Sequence, residues 1–139
     1  MGAGAFVLAP SAFGETIVVF VYDMEFSTNM PGDPIVDPVI QVGDTIQWQF
    51  ISPMMPHTTT SVAGIPEAWN SGVKFQNDTF EHTFTNVGTW EYYCALHGFD
   101  NGNGTATGMS GVVTVVPEPA TFAALGLGGL ALLRRRRPG

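Results

Sequence analysis

The stretch "TWEYYCALHGFDNGNGTATGMSGVVTV", Thr89 to Val115, reads as a strand at each end and holds the chain's only cysteine where the first strand stops. Strict alternation in "TWEYYC" sends Trp90, Tyr92 and Cys94 to one face and Glu91 and Tyr93 to the other, so Cys94 points into a core at a strand's end. His97 follows at a spacing from which a tight loop can turn its ring back toward the sulfur. Met109 stands where the next strand begins, so its thioether can return to the same end of the fold. His57 follows the proline-rich "SPMMP" and opens a further strand. On spacing alone the set stays open between two readings. A buried cysteine packs as a small hydrophobe as readily as it binds metal, and Cys-x-x-His by itself is weak. As a metal site, two imidazoles, a thiolate and a weak thioether suit copper, because soft sulfur favours Cu(I) and imidazole also accepts Cu(II). Structural zinc prefers four strong ligands.

Outward from this stretch the chain keeps to short strands. "TIVVFVY" (Thr16 to Tyr22) is β-branched and apolar, and "PVIQVGDTIQWQF" (Pro38 to Phe50) holds two runs parted by Gly43-Asp44, with Ile46, Trp48 and Phe50 on one face. "HTTTSV" (His57 to Val62), "TFEHTFT" (Thr79 to Thr85) and "SGVVTVV" (Ser110 to Val116) complete the set. About seven strands with turn signals between them predict an all-β sandwich or barrel. "GIPEAWNSGVKFQND" (Gly64 to Asp78) is expected as a long surface connection, with Asn77-Asp78 as a turn. His82, between Phe80 and Phe84, is expected to be structural. One cysteine excludes an internal disulfide.

The two ends read as processing signals around a single domain, Glu15 to Val116. Residues 1–14 look like the later half of a secretory signal peptide, with Ala12-Phe13-Gly14 as a small-x-small cleavage site and no basic residue ahead of it, which reads as a truncated leader. At the other end, Pro117-Glu118-Pro119 leads into "ATFAALGLGGLALL" and then four arginines, Arg134 to Arg137. As a helix, that apolar run rises about 21 Å, short of the roughly 30 Å hydrocarbon core, so it is expected as a short hydrophobic helix outside the domain, making membrane contact before processing. Lys74 is the only basic residue from Glu15 to Val116, against eleven acids, a net charge of about −10 that makes nucleic acid a poor partner. Such a surface serves solubility, or docking to a basic partner.

Residues 117–139 resemble the PEP-CTERM sorting signal of Gram-negative bacteria, since the Pro-Glu-Pro motif, apolar helix and arginine cluster occur in order. The resemblance implies removal by an exosortase-type enzyme and export to the periplasm, cell surface or extracellular matrix, with a transient inner-membrane anchor. From Val39 to Val116, "VGDTIQW", "PHTTTS", "WNSG", "FEHTF", "VGTWEYYCALHG" and "GMSGVVTV" resemble, in family order, the plastocyanin-like branch of the cupredoxins. That resemblance implies a Greek-key β-sandwich with one type 1 copper, held by His57, Cys94, His97 and, axially, Met109. It also implies three of these ligands on the loop joining the last two strands, and a one-electron carrier working with a redox protein partner, for instance a basic cytochrome. Eleven residues, "GFDNGNGTATG", separate His97 from Met109, more than the family pattern has, and Met54, Met55, a backbone carbonyl or no axial ligand are the alternatives to Met109. The glycine-rich insertion is expected to loop outward, because closure entropy grows slowly with length.

Enzymatic activity is not expected. Copper enzymes of this superfamily place a histidine beside the copper cysteine, whereas Cys94 has Tyr93 and Ala95, and three histidines are too few for a second cluster. Two other classes keep the same residues: a cell-surface copper carrier or buffer, and a structural, exopolysaccharide-associated surface protein with a non-functional site.

Overall fold

A computed structural model of the chain describes residues 14–119, so all but the last residue of the expected leader and the whole apolar C-terminal run lie outside the described residues. Alternation organises what is seen. In β4 (Thr45–Phe50), Ile46, Trp48 and Phe50 are buried while Thr45, Gln47 and Gln49 are half-buried. β1 (Thr16–Tyr22) buries Val19 and Val21 toward the same core. These two strands pair in parallel, Val19 beside Trp48, and β2 (Glu25–Ser27) and β6 (Thr79–Thr83) flank them to give a sheet of order β2-β1-β4-β6. The second sheet has the order β3-β8-β7-β5, from β3 (Val39–Gln41), β8 (Ala106–Val116), β7 (Gly88–Asp100) and β5 (Thr60–Ser61). Two four-stranded sheets face each other, with mixed pairing, as the all-β sandwich expected from the sequence.

The core between them is aromatic. Trp48 is fully buried and lies 5.6 Å, centroid to centroid, from Tyr92 across the sandwich, 5.5 Å from Trp69 and 6.0 Å from Phe80. Such offset and edge-on ring pairs add to the free energy of area burial.

Three details differ from the sequence reading. β2 is an additional, three-residue strand, joined to β1 by the two-residue turn Asp23-Met24, in which Met24 has φ of 119°. A two-residue hairpin turn selects Gly or Asn for positive φ, so a methionine there is strained. The Gly64–Asp78 connection is not a surface loop throughout. It bridges back through Thr60–Asn70 and His57–Lys74 and buries Trp69 and Glu67. Its glycines and polar residues conceal two anchors, and these dock because each finds a hydrogen-bonding partner inside: Trp69 Nε1 donates to Thr59 Oγ1 (2.9 Å), and Glu67 accepts from His82 Nε2 (2.6 Å), the Asn86 amide and the backbone N–H groups of Thr85 and Asn86. The turn at Asn77-Asp78 is as expected, with Asn77 at φ 78°.

The third difference lies between the last two strands. Residues 98–108 do not form an open loop. Gly98, Phe99 and Asp100 pair with Gly108, Thr107 and Ala106, so the hairpin continues past Cys94 and turns only at 101–105. Asp100 holds the tip by accepting from the N–H groups of Ala63 and Gly102, and Glu91 accepts from Ala106 N. Glycine is required at position 98, where an added Cβ would stand 2.6 Å from the Met109 carbonyl oxygen and 3.0 Å from that of Thr107.

Two outcomes follow from this packing. Burial by itself raises the Glu67 pKa, but the hydrogen bonds from His82, Asn86 and Thr85 outweigh it and hold the carboxyl below its ordinary 4.5. Its contribution is then complete above that value and fades as pH falls through the lower folded value. Glu67→Ala is predicted to lower stability by about 3 kcal/mol at neutral pH, with the gap to the parent narrowing on acidification in urea unfolding. Gly98→Ala is predicted to cost roughly 1–3 kcal/mol in the same assay, because backbone rather than a movable side chain blocks the methyl group.

Candidate metal centre

Cys94 is fully buried on the core face of β7, as alternation requires. Immediately after it the ladder with β8 breaks. Tyr93 pairs with Ser110, and the next pair is Gly98 with Gly108, so four residues of β7, 94–97, face a single residue of β8, Met109. This bulge folds the chain back and brings the His97 ring to the sulfur. His57 arrives from the opposite side, after the Ser52–Pro56 segment, and is fixed by a two-way backbone bridge to Lys74, with N···O distances of 3.0 and 2.8 Å.

The three side chains converge. His57 Nδ1 to Cys94 Sγ is 3.7 Å, Cys94 Sγ to His97 Nδ1 is 3.5 Å, and the two Nδ1 atoms are 3.2 Å apart. The point in the plane of these atoms that is equidistant from them lies about 2.0 Å from each, close to metal–nitrogen bond lengths and slightly under metal–sulfur lengths. His57 and Cys94 are buried and His97 is half-buried, so the triangle is closed toward the core and open toward solvent only at one imidazole. Among the described residues this is the group of three or more His, Cys, Asp or Glu side chains arranged to hold a metal ion.

Other polar groups set the orientation. His57 Nε2 faces Asp23 Oδ1 at 2.9 Å. A carboxylate accepts, so Nε2 is the donor in this contact, and Nδ1 is the ring nitrogen turned to the triangle. Ser52 Oγ donates to the same carboxylate oxygen at 2.6 Å. These two hydrogen bonds, Ser52 first, hold the Asp23 carboxyl below its ordinary value. At the sulfur, the Thr58 backbone N–H points to Cys94 Sγ at 3.3 Å, and Thr58 Oγ1 accepts from Ala95 N at 2.7 Å, so one threonine ties both strands together behind the thiol. Asp23 is marked by no motif, and Thr58 lies inside "PHTTTS" with nothing to single it out, because both meet the site through contacts 34 to 37 residues apart in sequence.

The remaining residues singled out in the sequence sort clearly. Met109 is 2% exposed and faces the bulge, whereas Met54 is 82% exposed and Met55 40%. Met109 is thus the buried thioether at this end of β8. It stands on the strand after the bulge rather than on a loop, and so do Cys94 and His97 on β7, which corrects the expected loop placement. His82 lies elsewhere, bonded to Glu67 and stacked on Trp69 with ring centroids 5.3 Å apart.

The donor set answers the question of fit. One cysteine sulfur and two imidazole nitrogens facing one another, with the buried Met109 opposite the bulge that carries Cys94 and His97, offer the mixed softness that copper accepts in both oxidation states. Asp23, the nearest carboxylate bonded to the set, is engaged behind His57 and is not a fourth strong donor of the kind a structural zinc site takes. The residues fit one copper ion.

Comparison with known proteins agrees. The PEP-CTERM protein-sorting motif family matches residues 115–137. Amicyanin from Paracoccus denitrificans is 37% identical over 65 residues, which cover 45% of this chain and 49% of that protein; the chain thus aligns with about half the length of this curated relative. Among solved structures, a reduced amicyanin mutant superposes with a TM-score of 0.52 at 28% identity, over 72% of this chain and 81% of the other. The reduced Cu(I) form at pH 4 of another amicyanin mutant gives the same values. A copper-containing nitrite reductase from Thermus scotoductus SA-01 has a TM-score of 0.53 at 17% identity, over 72% of this chain and 22% of its own, a likeness of fold alone. Sandwich, donor triangle and sequence similarity together make the described domain similar to the cupredoxins, and residues 115–137 match the PEP-CTERM sorting motif.

Proposed function

We propose that this protein is an exported one-electron carrier, a type 1 copper protein in which His57, Cys94 and His97 are the strong ligands and Met109 the axial one. The observation that carries the proposal is the triangle of two Nδ1 atoms and one Sγ, closed toward the core and reached from solvent at the half-buried His97. When bound, the copper supplies a single-electron couple, Cu(II)/Cu(I). The chain's part is to hold the donors still: the Lys74 bridge fixes His57, Thr58 braces Cys94 and Ala95, and the β7–β8 bulge fixes the backbone of His97 opposite the position of Met109. Donors pinned by backbone bonds move little between oxidation states, which keeps the reorganisation cost of electron transfer low. Thr58 N–H, aimed at the sulfur, stabilises negative charge on it and so bears on the potential.

The domain proposed for this work is Glu15 to Val116, between a leader at 1–14 and the sorting signal at 117–139. An exosortase-type enzyme is proposed to process that signal, placing the protein in the periplasm, on the cell surface or in the extracellular matrix. Among the described residues no helix is long and apolar enough to cross a membrane, and the apolar C-terminal run falls outside them. No catalysis is proposed, since Cys94 is flanked by Tyr93 and Ala95 rather than by a histidine that links a second centre. The acidic surface, with Lys74 as its single cation from Glu15 to Val116, favours a basic redox partner such as a cytochrome.

Copper titration of the purified chain, followed by visible absorption and electron paramagnetic resonance, tests the reading. An intense thiolate-to-copper band with narrow hyperfine splitting is expected, and Cys94→Ser abolishes both. A weak, pale signal unchanged by that substitution would refute electron transfer and leave the structural reading. Met109→Leu is predicted to keep the thiolate band and shift the potential, whereas Met54→Leu changes neither. Association with a basic cytochrome is predicted to slow as ionic strength rises, measured by stopped flow; a rate independent of salt removes the acidic-docking argument.

A further inference from the structure

We infer that Asp23 is a positioning residue for the copper site, fixing the tautomer of His57 and lowering the reduction potential through its charge; this rests on the copper reading proposed above. The geometry is a chain of three groups. Ser52 Oγ donates to Asp23 Oδ1 (2.6 Å), and His57 Nε2 donates to the same atom (2.9 Å), which leaves Nδ1 facing Cys94 and His97. A neutral imidazole carries one proton, so placing it on Nε2 makes Nδ1 a ligand, whereas the other tautomer would aim an N–H at the ion. The carboxylate also makes the ring more basic, and its negative charge favours Cu(II) over Cu(I).

A second observation points the same way. Asp23 sits in a two-residue turn between β1 and β2 whose other residue, Met24, is held at φ 119°. Glycine there removes the strain, and no hydrogen-bonding partner of the methionine side chain accounts for its presence. The turn also carries a backbone bond from Met24 N to Tyr22 O (3.0 Å), which tightens it around Asp23. Backbone strain of this kind persists where the surroundings over-determine it, and the neighbouring Asp23 is tied on its carboxylate to both Ser52 and His57. His57 is 1% exposed and Asp23 40%, so the carboxylate links a buried ring to the surface.

Two measurements decide the matter. In the copper-free chain, nitrogen-15 spectra of the imidazoles, taken at a pH where the rings are neutral, should show His57 protonated at Nε2 with Nδ1 bare. Asp23→Ala should mix the tautomers. In the copper-loaded chain, Asp23→Asn keeps an acceptor in place but removes the charge. It should weaken Cu(II) relative to Cu(I) about tenfold, which is about 59 mV upward for a one-electron couple. Asp23→Glu should restore most of the parental potential. The inference fails if the parent carries the His57 proton on Nδ1, or if Asp23→Asn and Asp23→Ala both leave the potential of a folded, copper-loaded protein unchanged. A parent without a thiolate band defeats the copper reading instead, and the nitrogen spectra of the copper-free chain still decide whether Asp23 sets the tautomer.

Discussion

Four residues of β7 are held opposite one residue of β8, and the metal centre depends on that mismatch. The ladder is intact on both sides of it, from Gly88↔Val115 to Tyr93↔Ser110 and again from Gly98↔Gly108 to Asp100↔Ala106. Because both flanks are paired, the surplus residues cannot slide away, and the chain must bulge at a fixed place. Cys94 stands at the start of the bulge, His97 at its end and Met109 across from it. Gly98 closes the bulge where any side chain would strike the carbonyls of Met109 and Thr107. A metal site whose donors are locked in this way is pre-organised by backbone pairing, independent of the ion.

The other side of the triangle depends on a different kind of support. His57 lies on no long strand. It is held by its backbone bridge to Lys74, and the Gly64–Asp78 segment that supplies Lys74 is in turn pinned by Trp69 in the aromatic core and by Glu67 at the β6 end. The burial of Glu67 and Trp69 is therefore connected to the placement of a histidine they do not touch. Asp23 completes the arrangement from the first sheet, so residues of both sheets and two connections define the orientation of one imidazole.

Much of this was legible in the sequence, and the limits of legibility have causes. β1 appears with the expected ends and the buried positions of β4 are the expected ones, because period-two alternation is a local signal. β2, with three residues, is too short to show a period. The 64–78 segment has the composition of a surface connection, and composition cannot reveal which of its residues find partners inside. The hairpin beyond His97 has the composition of an outward loop, since glycines and asparagines dominate it, yet its flanks pair, and only 101–105 turns. Cys94, His97 and His57 stood out as donors by residue type and position, while Asp23 carried no mark at all.

The sequence by itself determined the donor types, the sandwich class and the sorting motif, since each is written in residue identity, in alternation along a strand or in a contiguous order of segments. Only the tertiary structure decided which nitrogen of each histidine faces the sulfur, that Met109 is buried opposite the bulge while Met54 is exposed, and that Asp23 stands behind His57. Those outcomes depend on register and on contacts between residues 34 or more positions apart, such as the 34 between Asp23 and His57 and the 37 between His57 and Cys94. Strand register is selected by packing the whole core at once, and no local pattern encodes it.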